Sequence, residues 1–313
     1  MQYDYSSIGF YTFDCLGRPV TAIPEGGGTY FIEELAMAVS GAAGAAAVVA
    51  AKYGLSVLAV GGLGNDLMGD WVRQRLNHFG IDTSMMQLCE GVGTSSSIVT
   101  TRPDGQRPAL HMRGATGAFE VAASDIDQVL DARVVHIGGT GLMDRMDGPR
   151  SFALMAEAKR RGRTTTLDVF AASSKDMENV AGLLPNTDYF IPSIEEARAL
   201  SGLKDKEEIG RFFIDLGVGC TVMTMGDEGA YYHHKNGLQF HMPAFDIDVI
   251  CTCGCGDAFN AGFAVGLVHE LDPEQTMRLA QASSALNATG LGSQAGIESL
   301  ESTRFFLERT KTK

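Results

Sequence analysis

What most constrains the fold of this chain is a recurring alternation of short apolar runs with amphipathic stretches, punctuated by glycine. "SVLAVGGLG" (Ser56 to Gly64) reads as a strand entering a glycine turn, and "GDWVRQRLNHFG" (Gly69 to Gly80) places Trp71, Val72, Leu76 and Phe79 at helical spacing. "ARVVHIGG" is strand-like, and "PRSFALMAEAKRRG" begins with Pro149 and ends with Gly162, the usual punctuation of a helix. "TTTLDVF", "YFIPS" and "CTVMTMG" repeat the strand pattern, each before a helical or turn segment. Such alternation predicts an α/β fold, with a largely parallel central sheet covered by helices on both faces. Two stretches break it. "FDCLGRPVTAIPEGGG" (Phe13 to Gly28) is strand-like and turn-rich, and "SSSIVTTRPDGQRPALHM" (Ser95 to Met112) reads as two strands around Pro103-Asp104-Gly105. Segments of about 12-38 and 92-116 are therefore expected to form a small discontinuous β-lid over the carboxyl ends of the strands, within a single 1-313 domain.

Charge narrows the partners. The formal net charge of -13 opposes binding to nucleic acid or anionic membrane, and the densest basic cluster, "KRRGR" (Lys159 to Arg163), closes a helix where the dipole favours cations. The N-terminus lacks a signal-peptide pattern, and the apolar run "AAGAAAVVAA" is too short to span a bilayer. Six cysteines without a secretory signal read as reduced thiols, so a cytoplasmic protein is expected.

The chemistry concentrates in "VICTCGCGDAFNAGF" (Val249 to Phe263). "HMPAFDIDVI" alternates into it as a strand, and "DAFNAGFAVGLVHEL" continues as a helix with Phe259, Phe263, Leu267 and Leu271 at four-residue spacing. Gly254, Cys255 and Gly256 then form a strand-to-helix turn whose amides, with that of Asp257, make an anion hole. Asp257 reads either as a dipole-favoured acid of the first helical turn or as a general base beside that hole. A dinucleotide fingerprint fails because Phe259 stands where a third glycine is needed, and no Gly-Lys-Ser/Thr loop exists. Cys251, Cys253 and Cys255 lack the spacing of a structural zinc site; small buried residues are the default, with a regulatory thiol the alternative. The tandem His233-His234 falls in a hairpin and gives no metal pattern.

"CTCGCGDAFNAGF" resembles the C-terminal signature DTTGAGDAFNAGF of the ribokinase-like, PfkB-type carbohydrate kinases. "SGAAGAAAVVAAKYG" with "GGLGNDLMGDWV", "IPSIEEA", "TMGDEGAYY" and "LAQASSALNATGLGSQAG" resemble further segments of that family along nearly the whole chain. The resemblance implies a ribokinase-like three-layer α/β/α fold with a small β-sheet lid, and ATP-dependent phosphorylation of a hydroxyl on a small sugar or sugar-like substrate. It implies Asp257 as catalytic base, with Gly254, Cys255 and Gly256 as the anion hole. Asp14, Gly41, Ala45 and Arg107 fall at substrate positions, and Ser193, Thr224, Gly226, Asp227, Ser283 and Asn287 at nucleotide positions. Glu196 matches the acid that organises Mg2+ through water. Departures are local. Ala45 and Ser193 replace asparagines, Asp168-Val169-Phe170 stands for DxN, and Cys251 replaces the aspartate that commonly supports a K+ site, so potassium dependence does not carry over. Ala45 leaves room for a nucleoside, which makes a nucleoside kinase the alternative acceptor class. A catalytically impaired sugar- or nucleotide-binding regulator is the alternative outside catalysis, and lid edge strands favour a homodimer.

Overall fold

The computed structural model describes residues 1–313. Its strands, in chain order, are β1 (Tyr3–Gly9), β2 (Thr12–Arg18), β3 (Glu34–Ser40), β4 (Val57–Gly64), β5 (Asp82–Cys89), β6 (Ser96–Thr100), β7 (Ala109–Met112), β8 (Ala132–Thr140), β9 (Thr164–Val169), β10 (Tyr189–Phe190), β11 (Cys220–Thr224), β12 (Ala230–His234) and β13 (Gln239–Met242). The helices are α1 (Ala42–Lys52), α2 (Leu67–His78), α3 (Ile126–Val129), α4 (Pro149–Arg160), α5 (Met177–Val180), α6 (Ile194–Ser201), α7 (Lys206–Asp215), α8 (Cys255–Val268), α9 (Pro273–Ala288) and α10 (Leu300–Arg309). None is long and apolar enough to cross a membrane.

Nine strands form one sheet in the order β13-β12-β11-β10-β9-β8-β1-β4-β5. Pairing is parallel from β5 through β11, and β12 and β13 add an antiparallel edge. The two-residue period of the strands divides the core. Tyr5, Val57, Ala59 and Val134 pack with α1, α2, α8 and α9 on one face, while Ile8, Leu58, Val60, Val135 and Ile137 pack with α4, α6 and α7 on the other. The result is the three-layer α/β/α arrangement that the alternation predicts.

Strand order reverses at β1, which has β4 on one side and β8 on the other. An open parallel sheet leaves a crevice at the carboxyl ends beside such a reversal. The chain leaves the sheet after β1 and again after β5 to build a four-stranded sheet, β3-β2-β6-β7. Asp14, Leu16, Ala38, Ser97 and Val99 face inward from it, whereas Leu35, Met37, Ile98, Leu110 and Met112 expose its outer face. β3 escapes the sequence reading because its outward residues, Leu35 and Met37, are apolar too, so "ELAMAVS" shows no alternation.

Two expectations around the glycine motif are corrected. No strand runs through "HMPAFDIDVI": β13 ends at Met242, and Pro243, which has no N–H to give a ladder, starts an extended loop to Cys253. Leu271 lies outside α8, which ends at Val268. Glu270 turns left-handed at φ 54, and Asp272 caps α9 by accepting from the Gln275 amide at 2.8 Å.

Candidate active site

The loop before α8 is held from behind by α9. The amides of Ile250 and Cys251 donate to the Ala288 carbonyl at 2.8 and 3.2 Å. Asn287, fully buried, donates from Nδ2 to the Cys253 carbonyl at 2.6 Å, and its Oδ1 accepts from the Gln294 amide at 2.6 Å. Gly254 then caps α8 at φ 76, a left-handed conformation, and a Cβ there would lie 2.5 Å from Ser293 Oγ. The amides of Gly254, Gly256 and Asp257 have no backbone acceptor, while that of Cys255 makes one long 3.4 Å bond to the Thr252 carbonyl. Beyond its own helix and chain neighbours, nothing lies within 4 Å of a Cβ built on Gly256, so the side-chain position there is open. The turn is thus a loop-to-helix junction, and its unpaired donors at a helix N-terminus suit an anion.

Asp257 stands in that first turn with its pKa raised to about 6, chiefly by burial. Asp14 and Glu196 push it up further, and Arg107 pulls it down. Two more acids share the cleft. Asp168, at the end of β9, is held well above the carboxylate range by burial and then by Glu196 and Asp257. Burial also raises Glu196, against hydrogen bonds from Ser193. Ser193 caps α6, its amide and hydroxyl donating to Glu196 Oε2 at 2.9 and 2.7 Å while the Glu196 amide returns to its hydroxyl at 3.2 Å. Buried Asp168, raised in part by Glu196, forms with that half-buried acid a donor set that a divalent cation would relieve. No three His, Cys, Asp or Glu side chains converge closely enough to hold a metal unaided, which fits an ion completed by phosphate oxygens and water.

The small sheet supplies the opposite wall. Asp14 is buried on its inner face, raised by burial despite hydrogen bonds from Ser97 and Ser40. Thr12 Oγ1 donates to Asp14 Oδ1 at 3.4 Å, and Cys253 Sγ lies 3.8 Å from Oδ2. Gly41, at φ 85, starts α1 where a Cβ would meet the Phe10 carbonyl at 2.4 Å; Ala45 is buried one turn on. Arg107 lies two residues before Ala109 of β7, and its charge reaches Asp257.

The nucleotide positions divide. Thr224 bridges to Ser193 at the ends of β10 and β11, with Gly226 in the open turn beyond. Asp227 instead points outward and pairs with Lys313 at 3.7 Å. Ser283 is not in the cleft: its hydroxyl donates to the Leu279 carbonyl and accepts from Tyr53, where Gly262 lets α8 approach α9. Asn287 is spent on positioning the loop. Cys251 is buried among Leu16, Ala38, Val99 and Leu291, with its thiol 3.5 Å from Thr101 Oγ1. That setting is apolar and offers no carboxylate at this position. Asp168 was legible only as part of a degenerate triplet, as the acid near the end of β9.

Comparison with known proteins supports the family and the fold. The sequence model described as pfkB family carbohydrate kinase matches residues 20–300. A ribokinase of Haemophilus influenzae is 25% identical over 269 residues, covering 84% of this chain and 85% of its own. An ATP-dependent ribose-1-phosphate kinase of Halopiger xanaduensis is 29% identical over 306 residues, covering 97% and 98%. The structure of Arabidopsis thaliana ribokinase complexed with ribose and ATP superposes with a TM-score of 0.83 at 21% identity, over 98% of this chain and 99% of that one.

Proposed function

The chain belongs to the pfkB family of carbohydrate kinases, and on that premise we propose that it transfers the γ-phosphoryl group of ATP to a hydroxyl of a small sugar or sugar-like acceptor. The observation that carries this reading is Asp257: a carboxylate with a pKa near 6 in the same helical turn as unpaired amide donors. Above that pKa it accepts the proton of the acceptor hydroxyl. As the hydroxyl oxygen bonds to phosphorus, the bond from the γ-phosphorus to the ADP oxygen breaks, and ADP leaves with that electron pair. The amides of Gly254, Gly256 and Asp257 hold the charge on the transferring group. Asp14, on the inner wall, orients acceptor hydroxyls. Glu196 and Asp168 would hold magnesium, which when bound with the nucleotide neutralises phosphate charge. The relatives named above act on ribose and ribose 1-phosphate by their descriptions, which supports a pentose-sized acceptor.

A nucleoside is the second reading, supported by Phe170, a 57% exposed residue just beyond β9 that offers an aromatic face to a base. ADP release measured over pentoses, sugar phosphates, sugar acids and nucleosides tests both. Turnover of one class identifies the acceptor; tight binding of one compound with no turnover of any would instead mark a binding protein.

A further inference from the structure

Resting on the kinase reading, we propose that Arg107 is a catalytic residue: its guanidinium closes over the amide cradle and takes charge from the transferring phosphoryl group. A latch between the β6–β7 hairpin tip and the loop before α8 delivers it there.

The latch is a set of bonds between segments far apart in sequence. The Gly105 carbonyl accepts from both the amide and the hydroxyl of Thr252, each at 3.2 Å. Thr101 Oγ1 meets Cys251 Sγ at 3.5 Å, and a Cβ on Gly105 would lie 2.8 Å from Val249. Each bond is worth about 1 kcal/mol, and together they pin the tip beside the start of α8. Arg107 is two residues from Gly105, so the chain carries it no more than about 7 Å away. Strand phase sets its direction. Ala109 lies opposite buried Val99 and His111 opposite buried Ser97, whereas Leu110 and Ile98 face solvent. Arg107 continues the phase of Ala109 and His111, the side of this exposed edge strand that lies over Val99 and Ser97.

No carboxylate lies within ion-pairing distance of Arg107, although Asp257 is near enough for the two charges to interact. Arg107 keeps an exposed edge; desolvation of the rest disfavours its charge, and Cys253, Asp257 and Cys255 more than restore it. Arg107 and Asp257 therefore act on each other through their charges without quenching each other in an ion pair. Beside Asp257 the start of α8 offers unpaired amides, and the side-chain position of Gly256 is open. A group touching a cation, amide donors and a base together is a phosphoryl group receiving a hydroxyl. An anionic substituent on the acceptor would need Arg107 alone.

Arg107→Ala and Arg107→Lys separate these roles. Expected for Arg107→Ala is a fall in kcat of about 10²- to 10³-fold, with acceptor KM changed by no more than about threefold for neutral and anionic acceptors alike. Lysine recovers only a small part, because it lacks the planar fork. Affinity for ADP–aluminium fluoride, measured calorimetrically with acceptor present, should fall by a similar factor while affinity for ADP alone holds. Thr252→Val, which removes the hydroxyl half of the latch, should lower kcat by less than about tenfold at unchanged acceptor KM and Tm. An acceptor KM that rises at constant kcat, or an unchanged ADP–aluminium fluoride affinity, overturns the assignment of Arg107. An unchanged kcat in Thr252→Val overturns the latch. Wild-type protein that neither turns over nor binds ADP–aluminium fluoride overturns the kinase reading as well, whereas normal turnover by Arg107→Ala overturns this inference alone.

Discussion

Replacing Asp257 with asparagine should move activity and stability in opposite directions. The carboxyl pKa rises from 3.8 to about 6, so the folded chain holds a proton there that the unfolded chain releases. Its sign follows from linkage: between about pH 4 and 6 the native state binds more protons, and stability falls as pH rises through that window. Above it the full cost remains. Two pKa units correspond to about 3 kcal/mol, which partial solvent access at Asp257 reduces to about 1–2 kcal/mol. Asparagine keeps the shape without the charge, so Asp257→Asn should be more stable than wild type by about 1–2 kcal/mol at pH 8 and equal to it near pH 4. Loss of the base should at the same time cost about 10²-fold or more in kcat. Urea denaturation at the two pH values and ADP release at pH 8 measure the two effects. Full activity in the variant, or a loss of stability at pH 8, refutes the reasoning.

Three other outcomes follow from the same geometry. Turnover in potassium chloride should match that in choline chloride within about twofold, because Cys251 sits in an apolar cluster and brings no charged ligand to an ion. Asn287→Ala should destabilise the chain by about 2–4 kcal/mol in chemical denaturation, since it strands the Cys253 carbonyl and the Gln294 amide in the interior. Glu196→Gln should raise the magnesium concentration for half-maximal rate by about 10-fold or more, read from a metal titration at fixed ATP.

Much of this was legible in the sequence because it rests on local rules. Alternation gave the parallel sheet, and glycine punctuation marked the start of α8. The resemblance located Asp257, Glu196 and Asp14, which the fold brings into one cleft. What failed depends on long-range pairing. The loop after Met242 reads as a strand by period, yet Pro243 ends the ladder and the loop's amides turn to α9 and the C-terminal segment instead. Ser283 and Asn287 sit in a segment that matches a nucleotide-covering one, but nothing in the segment tells which side chains face inward. Asn287 is turned to the loop and Ser283 to the α8–α9 crossing. Thr252 carried no sequence signal, because its partner is the carbonyl of a hairpin tip some 150 positions earlier, set only by the closing of the small sheet.

The central claim is that Asp257 is the base, and the pH dependence of kcat/KM in the wild-type protein tests it most directly, because that ratio reports the ionisations of the free protein. With an acceptor that turns over, the account expects an acid limb rising with pH to a bend near pH 6, set by burial of Asp257 beside Asp14 and Glu196 against Arg107. A profile that stays flat down to about pH 4.5 would contradict it, because an ordinary exposed carboxylate titrates only below that point.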